Sequence, residues 1–399
     1  MMRNEVKLAD DTISEVEIDR LCEWMRAGNQ LTKGPVTREF ERQFAEFHSV
    51  DHALFVNSGS SANLVLAYGL KLTGRLKSNR VVLPAVSWVT TVAPYLQLGF
   101  EVVLCDCDPK NLGLNLNHLE TLVREVDPAL VVTVNVLGHA NDYAGIKAVL
   151  SSDCVLLEDN CEGFGSRIAH QYLGTYGLGS SFSFYYGHHL STIEGGMVIT
   201  DDKDLLDVMT SVRSHGWSRD LTPCVSSKLR DQYSTDEFRD LYTFYFPGFN
   251  LRSTDLQAKL GIGQLENAKF VVEKRQRLFE LYRGKLGHRF FVQESETDVI
   301  SSFAFGTLVH DPFLVSRHLA AHGIQSRPLI CGNIGRQPFW LAASGTSGKL
   351  PCADLVHDHG IYLPIHCGLN DADVEFVCDK FLEVAEPVLF PSVCKGSMQ

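Results

Sequence analysis

From about residue 50 the apolar positions fall into short unbroken runs separated by stretches of helical period. "HALFVNSG" runs into "SSANLVLAYGLKL" and "RVVLPAV" into "SWVTTVAPYLQLG"; "FEVVLCDCD", "ALVVTVNVLG", "CVLLEDN", "SFSFYY" and "GGMVIT" follow. Short apolar runs bounded by turn residues, with helical stretches between them, predict a large, doubly wound, mostly parallel sheet covered on both faces. Ahead of it, Ser14 with Glu17 three residues on has capping-box spacing and predicts a helix to about Gly28. "TREFERQFAEFH" puts Phe40, Phe44 and Phe47 on one helical face. The character changes after about Gly248. Leu256 to about Leu286 keeps a helical period without Pro and predicts one long bridging helix, and "SSFAFGTLV", "FLVSRHLAAHG", "GIYLPI" and "DADVEFVCDKFLEV" predict a smaller C-terminal α/β unit beyond it. The expected organisation is an N-terminal arm and large domain over 1–255, then the bridging helix and small domain over 256–399.

At 399 residues the chain is long enough for two cores. Its 36 Lys and Arg against 48 Asp and Glu give a formal charge of -12 with no basic stripe, which argues against a nucleic-acid partner. The eleven cysteines contain no C-x-x-C, and the closest pair, Cys105 and Cys107, straddles an aspartate at a strand end. Buried reduced thiols are expected rather than a metal site or a disulfide framework. The N-terminal stretch has no apolar signal segment, and no run of about 18 apolar residues occurs, so a soluble, cytoplasmic protein is expected.

The chemistry gathers at strand ends, where open α/β sheets bind ligands. "NSGSSAN" (Asn57 to Asn63) is a Gly- and Ser-rich turn into a helix whose free N–H groups offer a phosphate cradle, or an ordinary N-cap. "LLEDNCEG" ends a strand in Glu158, Asp159 and Glu162; such an aspartate caps the next helix or holds a negative charge against a cationic ring nitrogen. Trp88, at another strand end, is an interior residue or a stacking face for a flat cofactor.

Taken together, a phosphate turn, a stacking aromatic, a strand-end Asp and a Ser-rich strand before a Gly-Gly are the parts of a pyridoxal phosphate site in aspartate-aminotransferase-like order. The chain resembles the DegT/DnrJ/EryC1/StrS sugar aminotransferases, type I pyridoxal enzymes, over nearly its full length, from "TKGPVTREFERQFAEF" to "GIQSRPL". In that family S-F-x-x-x-K places a lysine eight residues before the second Gly of Gly-Gly; here the count from Gly196 lands on His188, and no lysine lies between Lys147 and Lys203. Without that amine the cofactor cannot be tethered covalently. An imidazole of ordinary pKa, about 6.5, is about three quarters neutral at neutral pH and serves as a general base.

The exchange in "HHLSTIEGG" resembles the family's 3-dehydratase branch, which uses pyridoxamine phosphate on nucleotide-linked 4-keto-6-deoxyhexoses. The CDP-sugar subtype carries an iron–sulfur segment; "RSHGWSRDLTPCVSS" holds only Cys224, against the roughly four thiolates a cluster takes, so no cluster is expected. "HGW" and "RPLICGN" resemble the cluster-free subtype acting on GDP-4-keto-6-deoxymannose. The resemblance implies His188 as base, Asp159 at the pyridine nitrogen, Glu162 at the ring hydroxyl and Trp88 stacked on the ring. It implies Gly59, Ser60 and Ser183 at the phosphate, and Asn250 reaching the phosphate of a neighbouring subunit in a homodimer with shared sites. Glutamate would recharge the cofactor, ammonia would leave, and the product would supply deoxysugar for a surface polysaccharide. His189 aligns with a family asparagine and has a structural, substrate-contact or catalytic role; His215 binds substrate, assists protonation or is an ordinary helix-end histidine. Arg219, Arg252 and Arg327 suit a sugar diphosphate or a surface ion pair. A transaminase with an unusual base and a non-catalytic cofactor-binding protein remain as alternatives.

Overall fold

The apolar runs pair side by side in a seven-stranded sheet: β1 (His52–Val56), β2 (Arg80–Pro84), β3 (Glu101–Cys105), β4 (Leu130–Val134) and β5 (Val155–Asp159) come first. A short hairpin, β6 (Arg167–Ile168) and β7 (Gln171–Tyr172), stands apart, and β8 (Gly179–Ser183) and β9 (Gly196–Thr200) complete the sheet in the order β1-β9-β8-β5-β4-β2-β3. Only β9 runs antiparallel to its neighbours. Parallel pairing demands crossovers, and the helices Gly59–Leu72, Val89–Gln97, Leu116–Val126 and Tyr143–Val149 supply them. These helices bury the sheet, which is why β4 and β9 are buried at every position and read as unbroken apolar runs. The computed structural model describes residues 5–391 except Gly345 and Ser347.

Parallel register brings the carboxyl ends of β1, β2, β4, β5 and β8 to one edge. The start of β9 meets them there: a Cβ on Gly196 would lie 2.2 Å from the Ser58 carbonyl oxygen, so only glycine lets this strand abut the turn after β1.

The capping box forms at Ser14, whose hydroxyl accepts from the Glu17 amide. Phe40 and Phe44 are fully buried against Phe55, Phe182 and Phe184, with ring centroids 5.0 to 6.1 Å apart. The bridging helix is a correction: Asp255–Glu266 and Ala268–Leu286 are two helices, broken at Asn267 (φ -93°, ψ 2°). The Asn267 side chain turns back to donate to the Gly263 carbonyl at 3.4 Å, competing with the helix for its own backbone. Beyond it, β10 (Phe305–Leu308), β11 (Arg327–Pro328) and β12 (Gly360–Leu363) form an antiparallel sheet in the order β10-β12-β11. The N-terminal arm packs on this second sheet's unit: Val6 donates to the Gly323 carbonyl at 2.8 Å and is buried with Phe305, Ile324 and Leu363. The described cysteines form no disulfide with one another, and no helix among the described residues is long and apolar enough to cross a membrane.

Candidate active site

A cavity of about 450 Å³ opens at the carboxyl edge of the large sheet, and His188, Gly59, Ser60, Trp88, Asp159, Glu162 and Ser183 all line it. At one end, Ser58 stands in extended conformation before the helix Gly59–Leu72 and its hydroxyl accepts from the Ser61 amide at 3.1 Å. The Gly59 and Ser60 amides belong to the first turn, where no intrahelical acceptor exists and the helix dipole favours an anion. A Cβ on Gly59 would come 2.6 Å from the Ser183 Cβ, so glycine is what allows these two walls to meet.

Asp159 is the last residue of β5, and no helix follows for it to cap. Its Oδ2 accepts from Asn63 Nδ2 at 2.8 Å and Thr91 Oγ1 at 2.7 Å, and its Oδ1 from the Cys161 amide at 3.1 Å. Strand alternation sends Glu158 to the other face, where it accepts from the Tyr143 hydroxyl at 2.7 Å and the Gly174 and Gly177 amides at 2.8 Å. Asp159 is therefore aimed at the cavity and Glu158 at the interior. Trp88, 56 % exposed, is not an interior tryptophan; its ring is open to the cavity.

Glu162 accepts from the Leu137 amide at 2.8 Å. Burial pushes its carboxyl up to about 7, against the pull of that amide and with the help of Asp159. A folded pKa above the ordinary 4.5 means the folded chain holds an extra proton between these values, so the cost to stability is absent below 4.5 and complete above about 7. Glu162→Gln keeps the Leu137 contact and removes the titration. Its melting temperature relative to the wild type should rise by about 2 °C between about pH 5 and pH 8; a pH-independent difference would place the proton elsewhere.

His188 lies in the turn after β8. Its Nδ1 is 2.9 Å from the Cys161 carbonyl, which can only accept, so Nδ1 carries the proton and Nε2 keeps its lone pair. The expectation of an ordinary imidazole is corrected. Burial pushes it down to about 4; the Cys161 carbonyl and Asp159 pull it up, and the Arg275 guanidinium pushes it further down. Essentially all of it is neutral at neutral pH, and it is a weaker base than a free histidine. His189 turns away, 1 % exposed, with Nε2 2.7 Å from the Ser301 carbonyl, and ties this turn to the C-terminal unit.

Five nominated residues do not line the cavity of their own chain. Asn250 accepts from Arg252 Nε at 3.0 Å, and Arg252 Nη2 lies 3.3 Å from His215 Nε2. His215 stands just past the C-cap of the helix Lys203–Arg213, in the left-handed conformation (φ 64°) that ends it, as a helix-end histidine does. Arg219 stacks over Trp217 at 4.2 Å, and Arg327 is exposed and donates to the Ser326 carbonyl at 3.0 Å. The Asn57 amide donates to the Leu251 carbonyl at 2.9 Å, so Asn250 and Arg252 flank the anion turn from outside.

The structure adds residues that the sequence reading did not nominate for the site: Asn63 and Thr91, which hold Asp159, and Phe303, Ile330 and Tyr362, which come from beyond residue 300. A helix N-terminus at one end, an open indole, a fixed carboxylate and a neutral imidazole fit a flat aromatic cofactor carrying a phosphate arm.

The model of the DegT/DnrJ/EryC1/StrS aminotransferase family matches residues 12–382. GDP-4-keto-6-deoxy-D-mannose 3-dehydratase of Yersinia pseudotuberculosis is 32% identical over 371 residues, covering 90% of this chain and 93% of that protein. GDP-perosamine synthase of Escherichia coli O157:H7 is 26% identical, covering 88% and 91%. Among solved structures, a GDP-4-keto-6-deoxymannose-3-dehydratase mutant with bound GDP-perosamine has a TM-score of 0.87 at 28% identity, covering 95% of this chain and 100% of that one. The same enzyme with PLP and glutamate trapped as an adduct has a TM-score of 0.85 at 27% identity, covering 94% and 100%.

Proposed function

The chain belongs to the DegT/DnrJ/EryC1/StrS aminotransferase family, and from that premise we propose that it is a 3-dehydratase of a nucleotide-linked 4-keto-6-deoxyhexose, GDP-4-keto-6-deoxymannose first among them. The cofactor is pyridoxal 5'-phosphate. The observation that carries the reading is His188 in the lysine's place, on the cavity wall, with Nε2 unprotonated.

Bound in its amine form, the cofactor would supply an amine for the C4 ketone and a ring able to take up the electron pair released at C4' and return it to expel the C3 hydroxyl. His188 Nε2 takes the proton from the cofactor's C4' carbon. Asp159, fixed by Asn63 and Thr91, holds the proton on the pyridine nitrogen that makes the ring an electron sink. Trp88 would cover one face of the ring and Glu162 would meet its hydroxyl. The Gly59 and Ser60 amides and Ser183 hold the phosphate, and Asn250 completes that end of the cavity in a second copy of the chain. Hydrolysis then frees ammonia and a 3-deoxy 4-keto sugar, with glutamate leaving as its 2-oxo acid. Such a product suits deoxysugar supply to a surface polysaccharide.

The relative that makes GDP-perosamine favours a second reading, amine transfer to C4. Purified protein incubated with pyridoxamine phosphate, glutamate and GDP-4-keto-6-deoxymannose separates the two. Dehydration gives a sugar lighter by one oxygen, together with ammonia. An amino sugar without ammonia rejects dehydration, and an unchanged sugar with cofactor binding verified by absorbance rejects this substrate. CDP- and dTDP-linked analogues run in parallel identify the nucleotide.

A further inference from the structure

We propose that Arg275 is the positioning residue of the catalytic turn: its guanidinium ties the His188 carbonyl to the C-terminal unit and sets a positive charge behind the imidazole. The inference rests on His188 as the base. Arg275, on the helix Ala268–Leu286, is 1 % exposed and heads the largest fully buried side chains. Its Nη1 donates to the carbonyls of Ile365 at 2.8 Å and of Ser302 and Phe303 at 3.1 Å, and Nη2 reaches the His188 carbonyl at 3.4 Å. Among the described residues it has no carboxylate partner. An unpaired buried cation costs several kcal/mol of desolvation, and carbonyl dipoles offset only part of that. Satisfying these carbonyls does not require a full charge.

What the charge does is visible at the turn. Asp159, on the neighbouring strand end, favours an imidazolium at 188, while Arg275 opposes it at both His188 and His189. Glu162 and Glu194 line the same cavity, and Cys367 acts on the guanidinium from the other side of the charge balance, favouring its protonated form. Arg275 thus adds to burial in keeping the base proton-free and offsets the pull of the Asp159 carboxylate. The same side chain fixes Phe303, whose ring centroid is 5.0 Å from that of His188.

The test is the titration of the His188 ring by NMR in full-length histidine-labelled protein, with and without pyridoxamine phosphate, its signal identified by its absence in His188→Gln. Arg275→Gln keeps amide donors but removes the charge, and its midpoint should rise by about one pH unit. Arg275→Lys keeps the charge and should stay within about 0.3 units of the wild type. The acid limb of kcat/KM should move with the titration in each variant. An unmoved midpoint in Arg275→Gln overturns the proposal. Should that variant fail to fold, a Lys variant whose midpoint rises by about one unit overturns it instead. Turnover is not needed for this readout, so loss of the base role, seen as full activity in His188→Gln, is distinguishable from loss of the Arg275 role.

Discussion

His188→Lys should bind its cofactor covalently and lose dehydration by about 10²- to 10⁴-fold, the range for removing a general base. The position is on the cavity wall, where the sequence resemblance sets the family's lysine. The surroundings favour reaction: Arg275 and burial, which push the imidazole down, would disfavour an ammonium in the same way and leave a free amine to attack the aldehyde. The measurement is a visible absorbance band together with a cofactor-sized mass increase after borohydride reduction. His188→Gln is the control, with the same loss of dehydration, no covalent mass and unchanged binding of pyridoxamine phosphate. Persistent C3 elimination in either variant removes His188 from the base role.

The parts legible in the sequence were those written locally. A glycine-rich turn after an apolar run names its own helix N-terminus, and counting back from Gly196 finds residue 188, which lies in the turn between β8 and β9. Which of Glu158 and Asp159 faces the cavity was legible only through the resemblance, which assigned Asp159, and not from the residues themselves. That depends on the register of β5 against β4, where Asp159 pairs with Val134, and a slip of one residue would exchange them. Helical period ran through Asn267 unbroken, because one polar side chain bonding back to Gly263 ends a helix without disturbing the apolar pattern around it.

Long-range effects escaped altogether. The low basicity of His188 comes in part from Arg275, 87 residues away, and the aromatic wall from Phe303 and Tyr362, which sequence places in another unit. No local motif encodes such a meeting. The arginines chosen for their chemistry alone fared differently from the strand-end residues: guanidinium suits phosphate anywhere, whereas a strand end in a parallel sheet has only one edge to occupy. Hence the strand-end nominees converge on one cavity and Arg219, Arg252 and Arg327 lie outside it.

Asp159→Asn should lower kcat by about 10²- to 10³-fold, the cost of about 3 to 4 kcal/mol of lost electrostatic stabilisation, while the protein stays folded. The isostere fits the same space, and the hydrogen bonds decide which way it turns. Asn63 and Thr91 both donate to Oδ2, so the amide oxygen settles there and the new NH2 takes the Oδ1 side, beside the Cys161 amide. A donor in place of an acceptor then faces the ring nitrogen. It bonds that nitrogen only when it carries no proton, so the ring would lose the positive charge that accepts the electron pair left at C4' by deprotonation. Because the Asn63 and Thr91 bonds survive, the melting temperature without cofactor should change by no more than about 2 °C. The paired measurement of kcat and melting temperature separates chemistry from folding: a kcat within about threefold of the wild type would mean that the ring nitrogen does not depend on this carboxylate.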